Sequence, residues 1–476
     1  MLQNFNISRI DGSPTGRLSF FGLGYVGLVS SVCFAYKGFK VVGYDVDREK
    51  IRALRNRRIP INEPRLDELI GRIDQNRLVF THSPHEAVLK TDITFLTVGT
   101  PSRRSGSIDL TYIKNAAKDV GNALRHKENY HLVVVRSTVT PETTENIVKR
   151  TIENYSNRKC SRTWGLCYCP EFLREGTAIE DMFNPDRIVI GEIDKKSGHL
   201  LEELFKRFHQ GRTPQIIRTD IVNAELIKYA SNAFLAMKIS FVNEMANICE
   251  RIKGADIEVV TRAMKLDKRI GKHYLNAGLG YGGSCLPKDV SALISFSKSL
   301  GYDPKLIEAV DRVNELQPYR VIEVARKLLR NLSRKKIALL GLSFKPDTDD
   351  LRNAVSIKLI NKLLDERAEI AVYDPVAISK AREIFGNKIT YHYSSIECIK
   401  HADCVIIVTE WDELRKLQPN DFLRNMRVAI VIDGRRIYEP MQFIKQGVKF
   451  AAIGLNRSTY NSSSNQLTTP SGSCFK

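Results

Sequence analysis

The same order of predicted elements occurs twice along this chain, and this repetition constrains the fold more than any other feature. Near the start, a buried strand leads into a glycine turn, a helix and a second strand that ends in Tyr-Asp, within RLSFFGLGYVGLVSSVCFAYKGFKVVGYDVD. After Lys335 the order returns, with KKIALLGLSFK matching the first strand and turn, and IAVYDPV matching the second strand. The segments TDITFLTVGTP and ADCVIIVTEWD then occupy corresponding places. Strands that alternate with helices favour a parallel sheet covered on both faces.

Between these two segments the pattern becomes helical. The stretch from Asp220 to Lys253 has helical periodicity and contains no proline, and we expect a long helix there. The predicted fold is therefore α/β, with two Rossmann-like, doubly wound parallel-sheet domains joined by a helical middle domain. The predicted boundaries are a leader at 1–16, an N-terminal domain at 17–215, a central helical domain at 216–325, a C-terminal domain at 326–456 and a disordered tail at 457–476. Because a long helix with few polar positions must bury its apolar side chains, the central domain is expected to form a homodimer or higher homo-oligomer.

Composition excludes several classes of protein. No apolar run reaches the roughly 18 residues that a membrane helix needs, and no export signal precedes Arg17. We expect a cytoplasmic protein with no membrane partner. The nine cysteines are an odd number in a long chain, which argues against a disulfide framework. Cys160, Cys167 and Cys169 are close together, but no second Cys or His pair supplies a zinc site, and we expect no metal.

The formal net charge of +19 allows nucleic acid or an anionic ligand as a partner. The Lys and Arg residues are spread along the whole chain, and no nucleic-acid-binding motif accompanies them. We therefore expect a basic solvated surface and a small anionic ligand rather than nucleic acid.

A G-x-G-x-x-G motif lies in the first repeat. Gly22, Gly24 and Gly27 follow a predicted strand and open a helix, and Asp45 ends the next strand 18 residues after Gly27. This context indicates a dinucleotide-binding turn, in which the helix N-terminus receives the pyrophosphate. The carboxylate of Asp45 should accept hydrogen bonds from the adenosine ribose and repel a 2′-phosphate, so we expect NAD rather than NADP.

The corresponding turn of the second repeat, around Gly341, lacks the second and third glycines. It either binds another phosphate compound, with Lys345 and Arg352 as cations, or retains only the fold. The residues alone leave both possibilities open.

The segment YGGSCLPKD has the composition of a reactive-thiol site. Gly282 and Gly283 would leave room for a ligand, Lys288 or a helix start could lower the pKa of Cys285, and Asp289 could move protons. A buried structural cysteine remains the alternative. Two further pairs have the spacing of one helical turn, Glu171 with Glu175 and Lys228 with Asn232. Each pair by itself is better explained as a surface feature, and it gains meaning only together with Cys285.

Taken together, these segments resemble the UDP-glucose/GDP-mannose dehydrogenase family from about Arg17 to Gly454. The resemblance rests on the following segments in fixed order: FGLGYVGL, VGTP, RSTV, PEFLREGTA, NPDRIVIG, ELIKYASNAFLAMKISFVNE, RIGKHYLNAGLGYGGSCLPKD, GLSFKPDTDDLR and VIDGRR. It implies two successive NAD-linked oxidations at one sugar carbon, from alcohol through aldehyde to carboxylate. It also implies that the N-terminal domain binds NAD and the C-terminal domain binds the nucleotide sugar.

The resemblance assigns roles to individual residues. It implies that Cys285 attacks the aldehyde, that Lys228 and Asn232 stabilise the reacting oxygen, and that Glu171, Thr138 and Asp289 handle water and protons. The positions that match cofactor-binding residues of the family are Gly22, Gly24, Val26, Gly27, Asp45, Lys50, Thr100, Thr138, Glu175, Lys288 and Arg352. The positions that match residues contacting the nucleotide sugar are Phe172, Leu173, Lys228, Asn232, Arg269, Tyr274, Gly282, Phe344, Lys345 and Arg435, and Arg269 is expected to reach the substrate of a neighbouring subunit.

Two substrate branches and one other class of function remain open. The RIG motif followed by YLNAGLGYGG, together with NPDRIVIG, favours UDP-glucose, and GDP-mannose is the alternative. A non-catalytic nucleotide-binding protein is the other class, although every implied catalytic residue is present. The chain departs from the family pattern at Cys169, where Asn or Ser is common, and at Glu142, where Gly is common.

Overall fold

The computed structural model describes residues 16–456, which form two compact units. The first unit comprises 1–231 and 291–302, and the second comprises 232–290 and 303–476, each within the described range. The predictions of a disordered tail and, apart from Gly16, of a leader lie outside the described residues.

The first unit contains an eight-stranded sheet with the strand order β3-β2-β1-β4-β5-β6-β7-β8. Its strands are β1 (Arg17–Phe21), β2 (Lys40–Tyr44), β3 (Leu78–Thr81), β4 (Ile93–Leu96), β5 (His131–Val135), β6 (Trp164–Tyr168), β7 (Arg187–Glu192) and β8 (Gln215–Asp220). All neighbouring strands are parallel except β6 and β7, which run antiparallel. The order reverses between β1 and β4, and in such sheets ligands bind beyond the carboxyl ends of the strands at that point.

Helices cover both faces of this sheet, because its central strands are buried on both sides. They are α1 (Tyr25–Tyr36), α2 (Arg48–Arg55), α3 (Leu66–Gly71), α4 (Pro84–Leu89), α5 (Thr111–Leu124), α6 (Arg150–Ser156), α7 (Ala178–Phe183) and α8 (Lys195–His209). A π-helical segment, Thr144–Lys149, runs directly into α6. On one face the ring of Phe20 stacks on Phe95 at 4.9 Å and Phe34 packs beside them. Val133 and Val135, on the other face of β5, belong to a separate apolar cluster.

Two helices are divided between the units, because one part of each helix belongs to the first unit and the rest belongs to the second. The helix α9 (Ile221–Cys249) contains 29 residues and confirms the predicted long helix, and α11 (Leu286–Ser299) follows the segment that contains Cys285. Between them lies α10 (Ile257–Met264).

The second unit contains a six-stranded, wholly parallel sheet with the order β11-β10-β9-β12-β13-β14. Its strands are β9 (Lys336–Leu340), β10 (Glu369–Tyr373), β11 (Thr390–Tyr391), β12 (Cys404–Ile407), β13 (Ile430–Asp433) and β14 (Lys449–Ala452). Its further helices are α12 (Lys305–Leu316), α13 (Tyr319–Leu329), α14 (Val355–Asp365), α15 (Ile378–Phe385), α16 (Ser395–Ile399), α17 (Pro419–Asn425) and α18 (Pro440–Lys445), with one 3₁₀ turn at Leu414–Lys416.

The first six strands of each sheet have the same order relative to their first strand, so the repeat read in the sequence is also a repeat of topology. The predicted fold class, two doubly wound α/β sheets with a helical middle region, is confirmed. Among residues 16–456, no helix combines the length and apolar character required to cross a lipid bilayer.

Candidate active site

The glycine turn between β1 and α1 is shaped by contacts that only glycine permits. Gly22 has a φ of 97°, and a Cβ atom there would lie 2.8 Å from the Val98 backbone. A Cβ on Gly27 would lie 1.9 Å from the carbonyl oxygen of Gly22. Gly24, by contrast, faces open space, with no heavy atom within 4 Å of the position of its missing Cβ. The first and third glycines therefore make the turn compact, while the second leaves the room that a pyrophosphate needs.

The N-terminus of α1 is also available to an anion. Gly24 is the N-cap and has no side chain to occupy the first N–H groups, and the first turn of α1 contains no acidic residue. Oriented N–H groups and the helix dipole attract phosphate at such an end. Val26 lies half-buried in the same turn. These residues fit a dinucleotide such as the NAD that the sequence predicts.

Asp45 lies at the carboxyl end of β2, next to the turn. Its Oδ2 accepts a hydrogen bond from the Leu23 N–H at 2.8 Å and from Lys50 Nζ at 2.8 Å, and its Oδ1 accepts from the Asp47 N–H at 3.0 Å. The carboxylate is thus fixed beside the start of α1. This is the position from which an acidic residue reads ribose hydroxyls.

Two threonines from the cofactor prediction lie at neighbouring strand ends. Thr100 follows β4, and its hydroxyl donates to the carbonyl oxygen of Thr138 at 2.8 Å; Thr138 follows β5. Both loops leave the carboxyl edge of the sheet, the edge where ligands of doubly wound folds bind.

Glu171 and Lys228 form a buried ion pair in the first unit. Lys228 Nζ lies 3.0 Å from Glu171 Oε1 and also donates to the Glu171 carbonyl at 2.5 Å. Burial by itself raises the pKa of Glu171, but the charge and hydrogen bond of Lys228 outweigh it, with help from the Leu173 N–H and Arg136, and the pKa lies below its ordinary value. Glu171 is therefore held as a carboxylate.

The ring of Phe172 is close to two cations of the same unit. The guanidinium of Arg187 lies 4.1 Å from the centre of its ring, and Lys228 Nζ lies 5.3 Å from it. The Leu173 N–H donates to Glu171 Oε2 at 2.7 Å, which fixes the carboxylate by the backbone of its own loop. Glu175, further along this loop, is half-buried.

The structure adds Arg136 to this group, a residue of the RSTV segment to which the sequence analysis assigned no role. Arg136 is 6% exposed, and its two terminal nitrogens lie 3.7 Å from Cys169 Sγ and 3.6 Å from Met182 Sδ. Cys169 stands where Asn or Ser is common in the family pattern. It therefore offers the buried guanidinium of Arg136 a weak sulfur acceptor in place of an oxygen acceptor.

In the second unit, Cys285 is the one exposed cysteine within residues 16–456, and the seven others described there are buried. Its carbonyl accepts the Asp289 N–H at 2.9 Å, so it occupies the N-cap position of α11. A helix N-terminus favours negative charge. The geometry thus favours the reactive-thiol interpretation over that of a structural cysteine.

Asp289 is clamped by two neighbours. Asn232 Nδ2 donates to its Oδ2 at 2.6 Å, and Lys288 Nζ lies 2.5 Å from its Oδ1. Asp289 is 1% exposed. A buried carboxylate one turn after the thiol is thus oriented by an amide and an ammonium group.

Gly282 and Gly283, which precede Cys285, pack closely against another segment of the second unit. A Cβ on Gly282 would lie 2.4 Å from the Asn353 carbonyl, and a Cβ on Gly283, which has a φ of 82°, would lie 2.8 Å from the ring of Phe344. The Gly283 N–H donates to the Arg352 carbonyl at 3.0 Å. These glycines allow the thiol loop to pack against the segment after β9, and the expectation that they also leave room for a ligand stays a prediction.

The turn after β9 differs from the first turn in how its acidic residue is used. Asp374, the counterpart of Asp45, accepts from the N–H groups of Leu342 and Ser343 and from the Trp411 indole, and is 2% exposed. Arg352 pairs with Asp350 at 2.7 Å, and Lys345 lies 5.8 Å from the ring of Phe344. Asp374 is therefore hydrogen-bonded within its own unit, while the cations Lys345 and Arg352 lie in the segment after β9.

The remaining predicted residues of the second unit are placed as follows. Arg435 follows β13, and its guanidinium donates to the Val408 carbonyl at 2.6 Å and to the Gly280 carbonyl at 3.3 Å. Arg269 is highly exposed and pairs with Asp267 at 2.6 Å. Tyr274 has a φ of 62°.

The residues implied as catalytic thus form two groups. Thr138, Glu171 and Lys228 belong to the first unit, and Asn232, Cys285 and Asp289 belong to the second. Lys228 and Asn232 are one turn apart on α9. In residues 16–456, no cluster of three His, Cys, Asp or Glu side chains could hold a metal ion.

Three sequence profiles match the chain in succession. They are described as the NAD binding domain, the central domain and the UDP binding domain of the UDP-glucose/GDP-mannose dehydrogenase family, and they match residues 16–209, 222–316 and 338–440. Together they cover more than half of the chain.

Individual proteins show the same similarity. The chain is 43% identical over 421 residues to UDP-glucose 6-dehydrogenase AglM of Haloferax volcanii, covering 88% of this chain and 96% of that protein. It resembles the solved structure of a UDP-glucose dehydrogenase from Pyrobaculum islandicum with a TM-score of 0.86 and 40% identity, covering 94% and 99% of the two chains. A GDP-mannose dehydrogenase structure from Pseudomonas aeruginosa matches with a TM-score of 0.52 and 34% identity, covering 92% and 99%.

Proposed function

Because the chain belongs to the UDP-glucose/GDP-mannose dehydrogenase family, we propose that it oxidises UDP-glucose to UDP-glucuronate with two molecules of NAD and one of water. The observation that carries this proposal is the exposed Cys285 at the N-terminus of α11, one turn before the clamped carboxylate of Asp289. A binding protein without catalysis has no need of a thiol in this setting. The cofactor supplies the hydride acceptor for both oxidations.

The proposed covalent steps begin at the aldehyde stage. The first oxidation removes a hydride and a proton from the primary alcohol at C6. The thiolate of Cys285 adds to the resulting aldehyde, and the new oxyanion takes a proton to give a thiohemiacetal. A second hydride then leaves this carbon and the proton leaves its oxygen, which forms a thioester; water adds to the thioester carbon, the carbon–sulfur bond breaks, and the carboxylate and the thiol of Cys285 are released. The reactive aldehyde stays bonded to the protein throughout the second half of the reaction.

The ion pair of the first unit is proposed to act on the reacting oxygen and on water. The ammonium group of Lys228 stabilises negative charge that develops on the C6 oxygen, an oxyanion-hole role that Asn232 shares. Glu171 remains ionised beside it and accepts protons from the alcohol or from the hydrolytic water. Thr138 positions that water, and Asp289 exchanges protons with it.

The remaining residues are proposed to hold the two nucleotides. Glu175 lies against the nicotinamide, and Asp45 with Lys50 receives the adenosine ribose. Lys345, after β9, and Arg435, after β13, hold the UDP part of the sugar nucleotide. The environment of Asp374 supports this division, because Asp374, unlike Asp45, also accepts the indole N–H of Trp411 and is 2% exposed.

A homodimer is proposed as the assembly. In the second unit, Phe234, Phe241 and Ile248 occur at intervals of seven residues along α9, and each is more than 40% exposed. A seven-residue interval places them on one side of the helix. Association with a second copy would bury this stripe, and Arg269 is proposed to reach the substrate of the partner.

UDP-glucose is preferred to GDP-mannose as the substrate on the basis of the comparisons, since the similarity in fold and sequence is greater to a UDP-glucose dehydrogenase. The test is NADH formation by the purified protein with each sugar nucleotide at matched concentrations. We expect faster NADH formation from UDP-glucose, with two NADH per sugar consumed. Faster NADH formation from GDP-mannose would reverse the assignment.

The covalent role is tested by Cys285→Ser, with Cys249→Ser as a buried-cysteine control. We expect Cys285→Ser to bind NAD as the wild type does and to lose net turnover, while Cys249→Ser retains turnover. Unchanged turnover in Cys285→Ser would refute the role of the thiol. The three-domain boundaries near 216 and 326 and the cytoplasmic location stay predictions.

A further inference from the structure

Glu63 is a buried acidic residue that the proposed mechanism does not use. It lies in the loop between α2 and α3, where the Leu66 N–H donates to its carbonyl at 3.2 Å and closes a turn over Pro64 and Arg65. Arg65 has a φ of 70°, so the turn has the shape in which proline precedes a left-handed residue. Glu63 is only 5% exposed. The turn therefore directs a carboxylate into the interior of the first unit.

The carboxylate of Glu63 accepts hydrogen bonds from the end of the loop that contains Glu171 and Glu175, which we call the catalytic loop. Glu63 Oε2 accepts the Gly176 N–H at 2.6 Å, and Oε1 accepts the N–H groups of Ala178 at 2.7 Å and Ile179 at 3.3 Å. The latter two are the first residues of α7, whose own N-cap side chain makes no capping bond. Glu63 thus caps α7 from a distant part of the chain, directly after the loop that contains Glu171 and Glu175.

The same carboxylate binds the first residue of the dinucleotide helix. The hydroxyl of Tyr25 donates to Glu63 Oε2 and in turn accepts the Gly176 N–H at 2.8 Å. Tyr25 follows Gly24, the glycine that leaves room for the pyrophosphate. One carboxylate therefore connects the start of α1 to the loop that carries Glu171 and Glu175.

We propose that Glu63, together with the hydroxyl of Tyr25, is a positioning residue for hydride transfer, because it fixes the loop of Glu171 and Glu175 relative to the dinucleotide turn. This inference rests on the proposed function. The loop must hold Glu175 against the nicotinamide and Glu171 at the reacting carbon, whereas the turn holds the other end of the cofactor. A displacement of about 1 Å between reacting groups can lower a rate about 100-fold.

A helix cap alone would have a different effect. Asp194 caps α8 in the same unit by accepting the Ser197 N–H at 2.8 Å, and no hydrogen bond to the catalytic loop is seen from it among the described residues. Loss of either cap should lower stability, but only loss of Glu63 should alter the chemical step. Asp194→Asn is therefore the matched control for Glu63→Gln. The Glu63→Gln substitution keeps the volume of the side chain, but it turns one acceptor oxygen into an NH₂ group that faces N–H donors.

The experiment measures kcat, the dissociation constant of NADH, and the kinetic isotope effect with UDP-glucose carrying deuterium at C6. For Glu63→Gln we expect kcat to fall about 100-fold, NADH affinity to stay within about threefold of the wild type, and the isotope effect on kcat to increase because hydride transfer becomes slower relative to the other steps. Asp194→Asn should keep the wild-type kcat and isotope effect. Equal kcat and isotope effect in the two variants would overturn the proposal.

Tyr25→Phe provides a second variant in case Glu63→Gln does not fold, since it removes one hydroxyl and leaves the cap of α7 in place. We expect about a tenfold lower kcat and a larger isotope effect. Wild-type values of both in Tyr25→Phe would overturn the connection to α1. Failure of the wild-type protein to form NADH from UDP-glucose would instead contradict the proposed function, so the two failures are distinguishable.

Discussion

Lys228 Nζ lies 3.0 Å from Glu171 Oε1, and each side chain is less than a tenth exposed. Each of these two charges is removed from water, and the attraction of the other charge offsets the cost of that burial. Neither charge would therefore be tolerated at this position without its partner. The same ammonium group is proposed to receive the charge of the reacting oxygen. Stability and catalysis therefore depend on these two residues in different ways, and variants can separate the two contributions.

Removal of one partner leaves the other charge buried. We expect Lys228→Met to lower the free energy of unfolding by about 3–5 kcal/mol and to abolish turnover. The double variant Lys228→Met with Glu171→Gln should recover most of this stability, because no unpaired charge remains, but none of the turnover. Thermal unfolding and NADH formation measure the two effects. A double variant as unstable as Lys228→Met would contradict the account of the pair.

Asp45 should control the choice of cofactor. In Asp45→Asn the negative charge that repels a 2′-phosphate is lost and the hydrogen bonds to the ribose weaken, so we expect the KM for NAD to increase about tenfold and the preference for NAD over NADP to fall. Asp47→Asn is the matched control, because Asp47 caps α2 two residues further on. A cofactor preference that is the same in both variants would count against the assignment of Asp45.

Glu142 occupies a conformation that suits glycine, with a φ of 72°. This explains why the departure from the family pattern at Glu142 matters: a side chain in the left-handed region costs about 1–2 kcal/mol, partly offset by the greater freedom of an unfolded glycine. We expect Glu142→Gly to stabilise the protein by about 0.5–1 kcal/mol. Glu145→Gly, in the π-helical segment, should destabilise it by about 1 kcal/mol. Thermal unfolding compares them, and destabilisation by Glu142→Gly would show that the side chain contributes more than its backbone conformation costs.

Glu225 should make stability depend on pH. It is fully buried on α9, where it accepts the N–H groups of Glu142 and Thr144, and burial raises its pKa to about 7 from an ordinary value of 4.5. The folded chain therefore binds this proton more tightly than the unfolded chain, so the contribution to stability is complete below pH 4.5 and is lost as the pH rises through 7.

Glu225→Gln tests this dependence, since glutamine resembles the protonated side chain and does not titrate. Relative to the wild type, the variant should gain about 3 kcal/mol between pH 4.5 and pH 8, at 1.36 kcal/mol per pKa unit. Melting temperatures of both proteins at pH 5 and pH 8 provide the measurement. A difference between the two proteins that does not change with pH would mean that Glu225 does not titrate in this range.

The parts of the fold that were predictable are those that local sequence determines. The turn of Gly22, Gly24 and Gly27 could be located because glycine, strand and acidic residue are close together in the chain, and the two repeats indicated two sheets of the same kind. The antiparallel pairing of β7 with β6 could not be predicted, because a strand of buried residues has the same composition in either direction.

The parts of the site that were not predictable depend on contacts between distant segments. The packing of Gly283 against Phe344 assigns that glycine a role that its neighbours in sequence do not reveal. Glu63 contacts Gly176 across 113 residues, and nothing near Glu63 in the chain indicates a catalytic loop. The exposure of Cys285, which distinguishes it from the buried cysteines, is likewise a property of the folded unit.

The most direct test of the central claim is mass spectrometry of the covalent intermediate. In Asp289→Asn, which should slow hydrolysis of the thioester, incubation with UDP-glucose and excess NAD is predicted to yield two NADH per active site in a burst. The peptide containing Cys285 should gain the mass of UDP-glucuronate less one water. A burst without any adduct, or an adduct on another residue, would contradict the account.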